Sequence, residues 1–418
     1  MIRIIFTYLF VVMFSATVWA GNWNKAKKQV TASILISSEA QRIKKTFKLK
    51  ASKQVAVDTT RRLEEIGLKQ VKKKCTGNFM ETTGFIPNIL NEVKAPKGYG
   101  LDESFTQIAY FFRKNAAQCL GENKRSCKNI HTHALDYAKN SKIQKPRSGG
   151  AVFFNDTLTI SMRLTGPMAS ALGVAWNTTD FPENEKNQII DWLEKINISF
   201  QNQQRMKGSY ELNDFGLVVK KAGHNHAVQA SIAMMSIAAL AGNKDNFMTG
   251  VDQWFITLDT MRADGSLPIE TRRGARAMYY HGRTISALFA IAKRAEVQGL
   301  DLLGIERKKS IHKAVQFYLD VADNPNLILQ YAKNNHAPGP FKNYRTQDID
   351  RAGTINSSGH GWVRLYIDRF PKHPNTIRLL NIEKGNNDIA RNLSMSVVQK
   401  GKSTEWITVD TKCFYTKN

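Results

Sequence analysis

Apolar residues recur every three or four positions along most of the chain after residue 27, which is the period of a helix that buries one face. Short connectors rich in Gly, Pro and Ser interrupt this pattern, for example at 95–100, 147–150, 263–268 and 336–341. The pattern predicts helices near residues 30–47, 53–72, 103–118, 128–140, 157–176, 184–206, 226–241, 245–262, 273–298, 308–322 and 356–370. Only the tail at 403–411 has the alternation of an extended segment.

Many helices joined by short links, with no repeat motif that can be aligned, are typical of an α/α toroid, an incomplete barrel of antiparallel helix pairs. No low-complexity linker divides the chain after its first residues. We therefore expect an all-α protein in which residues 21–418 form a single domain. The basic segment 21–75 is a candidate helical arm or lid.

The first twenty residues have the three parts of a secretory signal peptide. Arg3 precedes an apolar run over 4–14, and the Val-Trp-Ala pattern at 18–20 predicts cleavage before Gly21. A membrane anchor needs about 20 apolar residues, and the polar stretch after the run begins too early for that. We expect residues 1–20 to be removed and the mature protein to be periplasmic or secreted, without stable membrane insertion.

The formal net charge is +25, from 60 Lys and Arg against 35 Asp and Glu. This imbalance suggests an anionic partner, such as an acidic polysaccharide, a membrane surface or a nucleic acid. A generally lysine-rich composition, as in the Lys run at 72–74, is the alternative explanation. No recognised nucleic-acid-binding motif supports that partner, so we do not expect nucleic acid to bind.

Four cysteines lie in a chain that we expect to reach an oxidising compartment. Cys119 and Cys127 are close enough in sequence to close one loop, but with Cys75 and Cys413 three pairings are open. The sequence contains no CxxC pair and no Cys/His ligand spacing, so it predicts no structural zinc.

The segment 272–283 reads RRGARAMYYHGR and carries arginines around a Tyr-Tyr-His cluster. On a helix, four of its residues share one face: Arg273, Arg276, Tyr280 and Arg283. A solvated surface is the alternative interpretation, but no Asp or Glu between Glu270 and Glu296 is available to pair with these arginines. Guanidinium groups favour ionisation of a phenol, whose free pKa is near 10, and they bind carboxylates in a bidentate fork. The segment thus suggests a tyrosine base beside a carboxylate-binding site.

A second stretch, 221–242, reads KAGHNHAVQASIAMMSIAALAG and places His224, Asn225 and His226 at the start of an apolar helix. Free N–H groups and the positive end of the helix dipole favour anions there. The alternative is that Asn225 is a helix N-cap and that the histidines are surface groups. A metal site is not predicted, because the two histidines lack a third ligand at supporting spacing.

Together the segments GHNHAVQ at 223–229 and DGSLPIETRRGARAMYYHGRTISALFAIAKRAEVQGLDL at 264–302 resemble the mannuronate-specific alginate lyases, a polysaccharide lyase family. Members of that family are secreted enzymes with an α/α toroid fold. An Asn-Asn-His motif opens one helix, and a Leu-Pro-x-Glu segment leads through Arg into a Tyr-His motif. The resemblance is ungapped from Leu267 to Arg283 and faint outside 222–302.

Carried over by position, the resemblance implies that Tyr280 is the catalytic base and acid. Asn225, His226 and Arg273 would neutralise the uronate carboxylate, and His226 would assist proton transfer. His281 follows the tyrosine as in the family, but we expect it to be structural because it points toward the apolar side of the helix.

Three departures from the family pattern bear on the substrate. His224 replaces the first Asn, Val228 and Gln229 replace an aromatic pair, and Arg283 replaces a second tyrosine. These positions would touch neighbouring sugars, so the polymer stays open. The residues expected to bind substrate outside the catalytic group are Arg276, Arg283, His224, Gln229, Trp362 and Arg364.

The function that the resemblance implies is a secreted lyase that cleaves a 4-linked polyuronate, alginate or polymannuronate first, by β-elimination without a cofactor or metal. Glucuronan or another acidic glycan is an alternative substrate, and a non-catalytic polyanion-binding protein on the same scaffold is an alternative function. A two-carboxylate glycoside hydrolase is not indicated, because Asp264 lies in a turn and Glu270 precedes the arginines.

Overall fold

The computed structural model describes residues 38–75, 103–140, 160–178, 180–206, 210–212, 218–220, 225–334, 343–347, 360–382, 390, 409 and 411–415. Its helices are α1 Ser38–Thr46, α2 Thr59–Ile66, α3 Leu68–Cys75, α4 Glu103–Leu120, α5 Lys124–Asn140, α6 Gly166–Ala175, α7 Glu183–Met206, α8 Asn225–Ala241, α9 Lys244–Asp259, α10 Pro268–Thr271, α11 Ala277–Val297, α12 Ile311–Asp323, α13 Asn326–Ala332, α14 Trp362–Arg369, α15 Pro374–Leu380 and α16 Thr411–Phe414. A π-helical segment, Ile160–Thr165, leads into α6, and a 3-10 turn, Gly274–Arg276, precedes α11.

The predicted all-α fold class is confirmed, since the described regular structure is helical apart from one short hairpin. In that hairpin β1, Tyr210–Leu212, pairs antiparallel with β2, Val218–Lys220. The predicted helix at 53–72 is in fact two helices, because Gly67 lies at φ 73° and returns its N–H to the carbonyl of Leu63. Most of the predicted extended tail at 403–411 and the predicted signal peptide lie outside the described residues.

The helices α8 and α11 pack side by side and run parallel. Two side-chain contacts between them define this direction. Arg283 donates to Gln229, and Arg294 donates to Ser236. The second contact lies closer to the carboxyl end of each helix than the first, so the helices run the same way. The intervening helix α9 packs against both and carries the chain back. Parallel neighbours joined by an antiparallel return helix are the arrangement expected of an α/α toroid.

Helix α11 is buried on nearly its whole circumference, which is unusual for a helix with several arginines. Arg294 is fully buried and donates from Nε to Ser236 Oγ at 2.7 Å and from Nη2 to Ser170 Oγ at 3.0 Å. It also donates to the carbonyl oxygen of Ala290. These bonds compensate the desolvation of the guanidinium group and tie α6, α8 and α11 together.

The described part of the predicted arm, residues 38–75, is bonded to the rest of the chain. The backbone N–H of Lys50 donates to Gln298 Oε1 at 3.0 Å, and the buried Arg62 donates twice to the carbonyl oxygen of Cys413. Val55 packs so closely on Gly173 that a Cβ there would lie 2.6 Å from a valine methyl. The role of 21–75 as an arm or lid stays a prediction. No helix in the described part of the chain has both the length and the apolar character to cross a membrane.

Two disulfides select one of the three open pairings. Cys119 and Cys127 close a loop of 8 residues, whereas Cys75 and Cys413 are 338 residues apart in sequence. The long-range bond fixes α3, near the beginning of the described chain, to α16 at its end. In the chain-entropy account a disulfide stabilises more when the loop it closes is longer.

We expect the double substitution Cys75→Ser/Cys413→Ser to destabilise the protein more than Cys119→Ser/Cys127→Ser. Loop entropy gives upper values of about 6 and about 2.5 kcal/mol respectively. Urea unfolding of the two double variants and the parent protein tests this order. A larger loss from the short-loop pair would contradict it.

Three buried histidines are held neutral in the core. His131 and His281 each bond from Nε2 to a main-chain carbonyl, of Ala175 and Ala314, and His360 bonds to the Tyr318 hydroxyl. Burial lowers the pKa of each of the three to about 4, from an ordinary value of 6.5. The structural role expected for His281 agrees with its complete burial.

Stability is expected to fall as the pH is lowered from 6.5 toward 4. In that window the unfolded chain takes up protons on these histidines while the folded chain does not, so acid favours unfolding by up to about 1.4 kcal/mol per pH unit for each histidine. Unfolding free energies at pH 7.5, 6.5, 5.5 and 4.5 measure the slope. A flat profile between pH 7.5 and 4.5 would show that these groups titrate normally.

Candidate functional site

Three of the four predicted catalytic residues lie at the start of a helix or on the turn that precedes one. Asn225 is the first residue of α8, Tyr280 lies in the first turn of α11, and Arg273 lies just before the 3-10 turn that precedes α11. Gly274 at φ 55° lets the chain reverse between α10 and α11. The turn returns Arg273 onto Tyr280, which places its guanidinium carbon 3.8 Å from the centroid of the phenol ring.

The prediction that Arg273 and Arg276 lie on the same helix as Tyr280 is wrong, because α11 begins at Ala277. Both arginines precede the helix, on the tight turn. They still approach Tyr280, but from the turn and not along one helical stripe. A 3.6-residue period cannot distinguish these two cases, since a turn of three residues preserves the same spacing.

Glu270, in α10, is the residue that joins the two halves of the site. Its side chain is fully buried, and it accepts the backbone N–H of Asn225 at 2.7 Å on Oε1 and the side-chain amide Nδ2 at 2.9 Å on Oε2. Arg273 Nη1 lies 4.0 Å from Oε2. The carboxylate thus caps the start of α8 and orients the amide of Asn225.

Glu270 was not among the predicted site residues, because from the sequence it was considered only as half of a hydrolase acid pair. The available signal was that a single acid directly precedes an arginine-rich segment and lies in the Leu-Pro-x-Glu motif. A carboxylate beside arginines and a helix start is better suited to accept hydrogen bonds from N–H groups than to donate a proton. Burial raises the pKa of Glu270, while Arg273 and the two bonds from Asn225 act against that rise.

Tyr280 is 6% exposed and lies in a cationic environment. Burial by itself would raise the pKa of its phenol, but the charges of Arg273, Arg283 and Arg276 outweigh burial and the opposing charge of Glu270. The pKa of Tyr280 therefore lies below its ordinary value of 10. A buried tyrosine without such cations behaves differently, as in Tyr318, whose pKa burial raises.

Two residues predicted to bind substrate lie one turn further along the same pair of helices. Arg283 Nη2 donates to Gln229 Oε1 at 3.4 Å, from α11 to α8. Both side chains are almost completely buried, with Gln229 2% and Arg283 4% exposed. Arg276 keeps partial exposure beside Tyr280.

Trp362, which was predicted to bind substrate, lies in the core of the structure. Its side chain is fully buried, and its ring packs against Tyr318 and Tyr366 at centroid distances of 5.5 and 6.3 Å. It is the first residue of α14, whose apolar face packs on α11. Because no face of the indole reaches solvent, it is a core residue.

The other predicted site residues are placed only in part. Arg364 forms an ion pair with Asp368 on its own helix at 2.8 Å, and its role in substrate binding stays a prediction. His224 lies outside the described residues, and the side chain of His226 does too, although its backbone belongs to α8. Within the described ranges, no three His, Cys, Asp or Glu side chains are grouped so that they could hold a metal ion.

Comparison with solved structures defines the class of protein by its fold. The chain is similar to alginate lyase A1-III from Sphingomonas species A1, with a TM-score of 0.61, 14% identity, and coverage of 80% of this chain and 92% of that one. That enzyme has an all-α toroid fold, as predicted for this chain. At this level of identity the similarity concerns the fold alone.

Sequence comparison shows which proteins part of the chain is similar to. Residues 125–328 match the family model described as alginate lyase. The chain is 29% identical over 191 residues to an alginate lyase of Pseudomonas aeruginosa, covering 46% of this chain and 45% of that protein. It is 34% identical over 154 residues to one of Pseudomonas fluorescens, covering 37% and 38%. The chain is thus similar to alginate lyases over residues 125–328, and the matches span less than half the length of these relatives.

We expect Glu270→Gln to destabilise the protein by about 1–3 kcal/mol, because the new amide has one acceptor for two buried N–H groups of Asn225. Thermal or urea unfolding measures the loss. Glu183→Gln is the matched control, since Glu183 lies on the surface with its side chain 68% exposed. Equal stability of the two variants would show that Glu270 does not hold the start of α8.

Proposed function

We propose that the protein is an exported polysaccharide lyase that cleaves a 4-linked polyuronate, with alginate or polymannuronate as the first candidate, by β-elimination. The observation that carries the proposal is the environment of Tyr280, a phenol with Arg273 stacked on its ring and further guanidinium groups nearby. The names of the relatives agree with this class of substrate. A variant of alginate lyase A1-III has been solved in complex with a tetrasaccharide.

The proposed reaction breaks the bond between C4 of a uronate and the linking oxygen without water. The phenolate of Tyr280 takes the proton from C5, the electron pair forms a double bond between C4 and C5, and the C4–O bond breaks. Tyr280 then returns the proton to the leaving oxygen, which restores the phenolate. Because the pKa of Tyr280 is below its ordinary value, the reactive form is more accessible near neutral pH.

Removal of a proton beside an ionised carboxylate builds up negative charge, which the site must stabilise. Arg273 is placed for this, since its positively charged guanidinium group lies on the ring of Tyr280, at the proposed reacting group. One hydrogen of the buried Asn225 amide is bonded to Glu270, and we propose that the second donates to the substrate carboxylate once the polymer enters the site. One such donor contributes about 3–4 kcal/mol to a transition state of this kind.

Two independent features support the proposal that the protein is exported. The first twenty residues have the organisation of a signal peptide, and all four cysteines are paired. Disulfides persist in oxidising compartments such as the bacterial periplasm and the extracellular space. We propose that the mature chain begins at Gly21, and amino-terminal sequencing of the exported protein tests this.

Tyr280→Phe is expected to lower kcat on polymannuronate by about 10²–10⁴-fold, because it removes the group that takes and returns the proton. The ultraviolet absorbance of the unsaturated uronate product measures cleavage. Polymer binding should stay within about threefold of the parent, because the ring and its stacked arginine are retained.

A panel of alginate, polymannuronate, glucuronan and other acidic glycans identifies the polymer in the same assay. Undiminished cleavage by Tyr280→Phe would rule out the mechanism. Polymer binding without any unsaturated product from the parent protein would instead favour a non-catalytic polyanion-binding protein. Reducing ends formed without ultraviolet absorbance would indicate a hydrolase.

A further inference from the structure

Arg283 was expected to bind an adjacent sugar, but its position suggests another role. The side chain is 4% exposed, so little of it can reach a polymer. It lies three residues after Tyr280 on α11, which places both side chains on one face of the helix. Its guanidinium carbon is 5.8 Å from the centroid of the Tyr280 ring.

Gln229 holds this guanidinium group from the neighbouring helix. Its Oε1 accepts from Arg283 Nη2, so its Nε2 points elsewhere, and no hydrogen-bond partner for Nε2 occurs within the described part of the chain. Leaving a buried amide N–H unsatisfied is costly. The orientation of the Gln229 amide is nevertheless determined, because a guanidinium group only donates hydrogen bonds and Arg283 therefore requires the amide oxygen as its acceptor.

We propose that Arg283, held in place by Gln229, is a positioning residue that stabilises the phenolate of Tyr280 and so extends the lyase reaction to lower pH. The inference rests on the proposed function for its effect on catalysis, although not for its effect on the phenol. It assigns to the Arg283–Gln229 pair an electrostatic role in place of sugar recognition.

The charged groups that face Tyr280 come from each element around it. Arg273 and Arg276 approach from the turn before α11, Arg283 from α11 itself, and Glu270 from α10 opposes them. The neighbouring Tyr279 packs edge-on against Tyr280, with the ring centroids 5.1 Å apart. Arg273 and Arg276 each keep partial exposure beside Tyr280, whereas Arg283 is almost completely buried and faces Gln229 on the neighbouring helix.

The direction in which Arg283 shifts the pH profile follows from the role of Tyr280 as a base. A base works when it is ionised, so activity rises with pH through the pKa of Tyr280 on the acid side of the profile. A positive charge in a poorly solvated site favours ionisation, and its removal therefore moves this limb to higher pH. A loss of packing alone would lower activity by the same factor at every pH.

Arg283→Met removes the charge and keeps an unbranched side chain, while Arg283→Lys keeps the charge. We expect the acid limb of kcat to move up by about one pH unit in the Met variant and by less than about 0.3 in the Lys variant. The plateau value of kcat and KM should each stay within about threefold. Gln229→Leu, which removes the hydrogen bond from Arg283 to α8 without removing the arginine, should give an intermediate shift. Arg378→Met is the matched control, because Arg378 is paired with Asp320 and Asp323 on the surface of α15.

A second readout needs no activity. Tyrosinate absorbance during an alkaline titration, taken as the difference between each protein and its Tyr280→Phe counterpart, reports the midpoint for this phenol alone. The midpoint should rise by about one unit in Arg283→Met. Arg283→Gln replaces the Met variant in both assays if the latter does not fold.

An unchanged midpoint together with an unchanged acid limb would overturn the proposal. A large rise in KM without any shift would overturn it too, and would return Arg283 to sugar binding. If the protein cleaves no polyuronate, the proposed function fails, while the absorbance titration still decides whether Arg283 stabilises the phenolate of Tyr280.

Discussion

The buried carboxylate of Glu270 is the interaction on which the site depends. It accepts two bonds from Asn225, one of them from the backbone at the start of α8, and it lies beside Arg273 on the turn before α11. A negative charge buried in this way is tolerated only when donors surround it. The arrangement joins the beginnings of two helices through one side chain, so the amide and the phenol are held relative to one another.

This contact continues as a row of polar groups along the interface of α8 and α11. After Glu270 and Asn225 come Gln229 with Arg283, and then Ser236 with Arg294. Arg283 and Arg294 are eleven residues apart, which is close to three helical turns, so both face α8. Apolar residues fill the remaining faces of α11, which explains how a helix with several arginines is buried almost throughout. The row of polar contacts thus sets the register of α8 against α11 and also places the charge of Arg283 beside Tyr280.

The positive charge around Tyr280 also affects the stability of the folded protein. Arg273, Arg276 and Arg283 lie close to one phenol, and Glu270 opposes them. Like charges close together oppose folding, and the same charges favour an ionised phenol at Tyr280. The structural arginine Arg294 lacks such a role and is satisfied by two serine hydroxyls and a carbonyl.

Much of the fold could be predicted from the chain, because apolar residues at helical spacing need a common core whatever their partners are. The helices near 103–118, 184–206 and 226–241 were predicted close to their observed bounds, since polar connectors end them. Prediction was weaker where a glycine at positive φ interrupts the apolar pattern. Gly67 divides one predicted helix, and Gly274 lies in the turn with which the arginine-rich segment begins before α11.

The sequence by itself determined the helical class, the tyrosine with its arginines, and the asparagine at the start of a second helix, because these depend on residue type and short spacing. Only the tertiary structure decided the partner of Cys75, the burial of Trp362, and the bond between Glu270 and Asn225, which are 45 residues apart. The physical reason is that burial and hydrogen bonding between distant residues depend on which helices become neighbours. No local period along the chain records that.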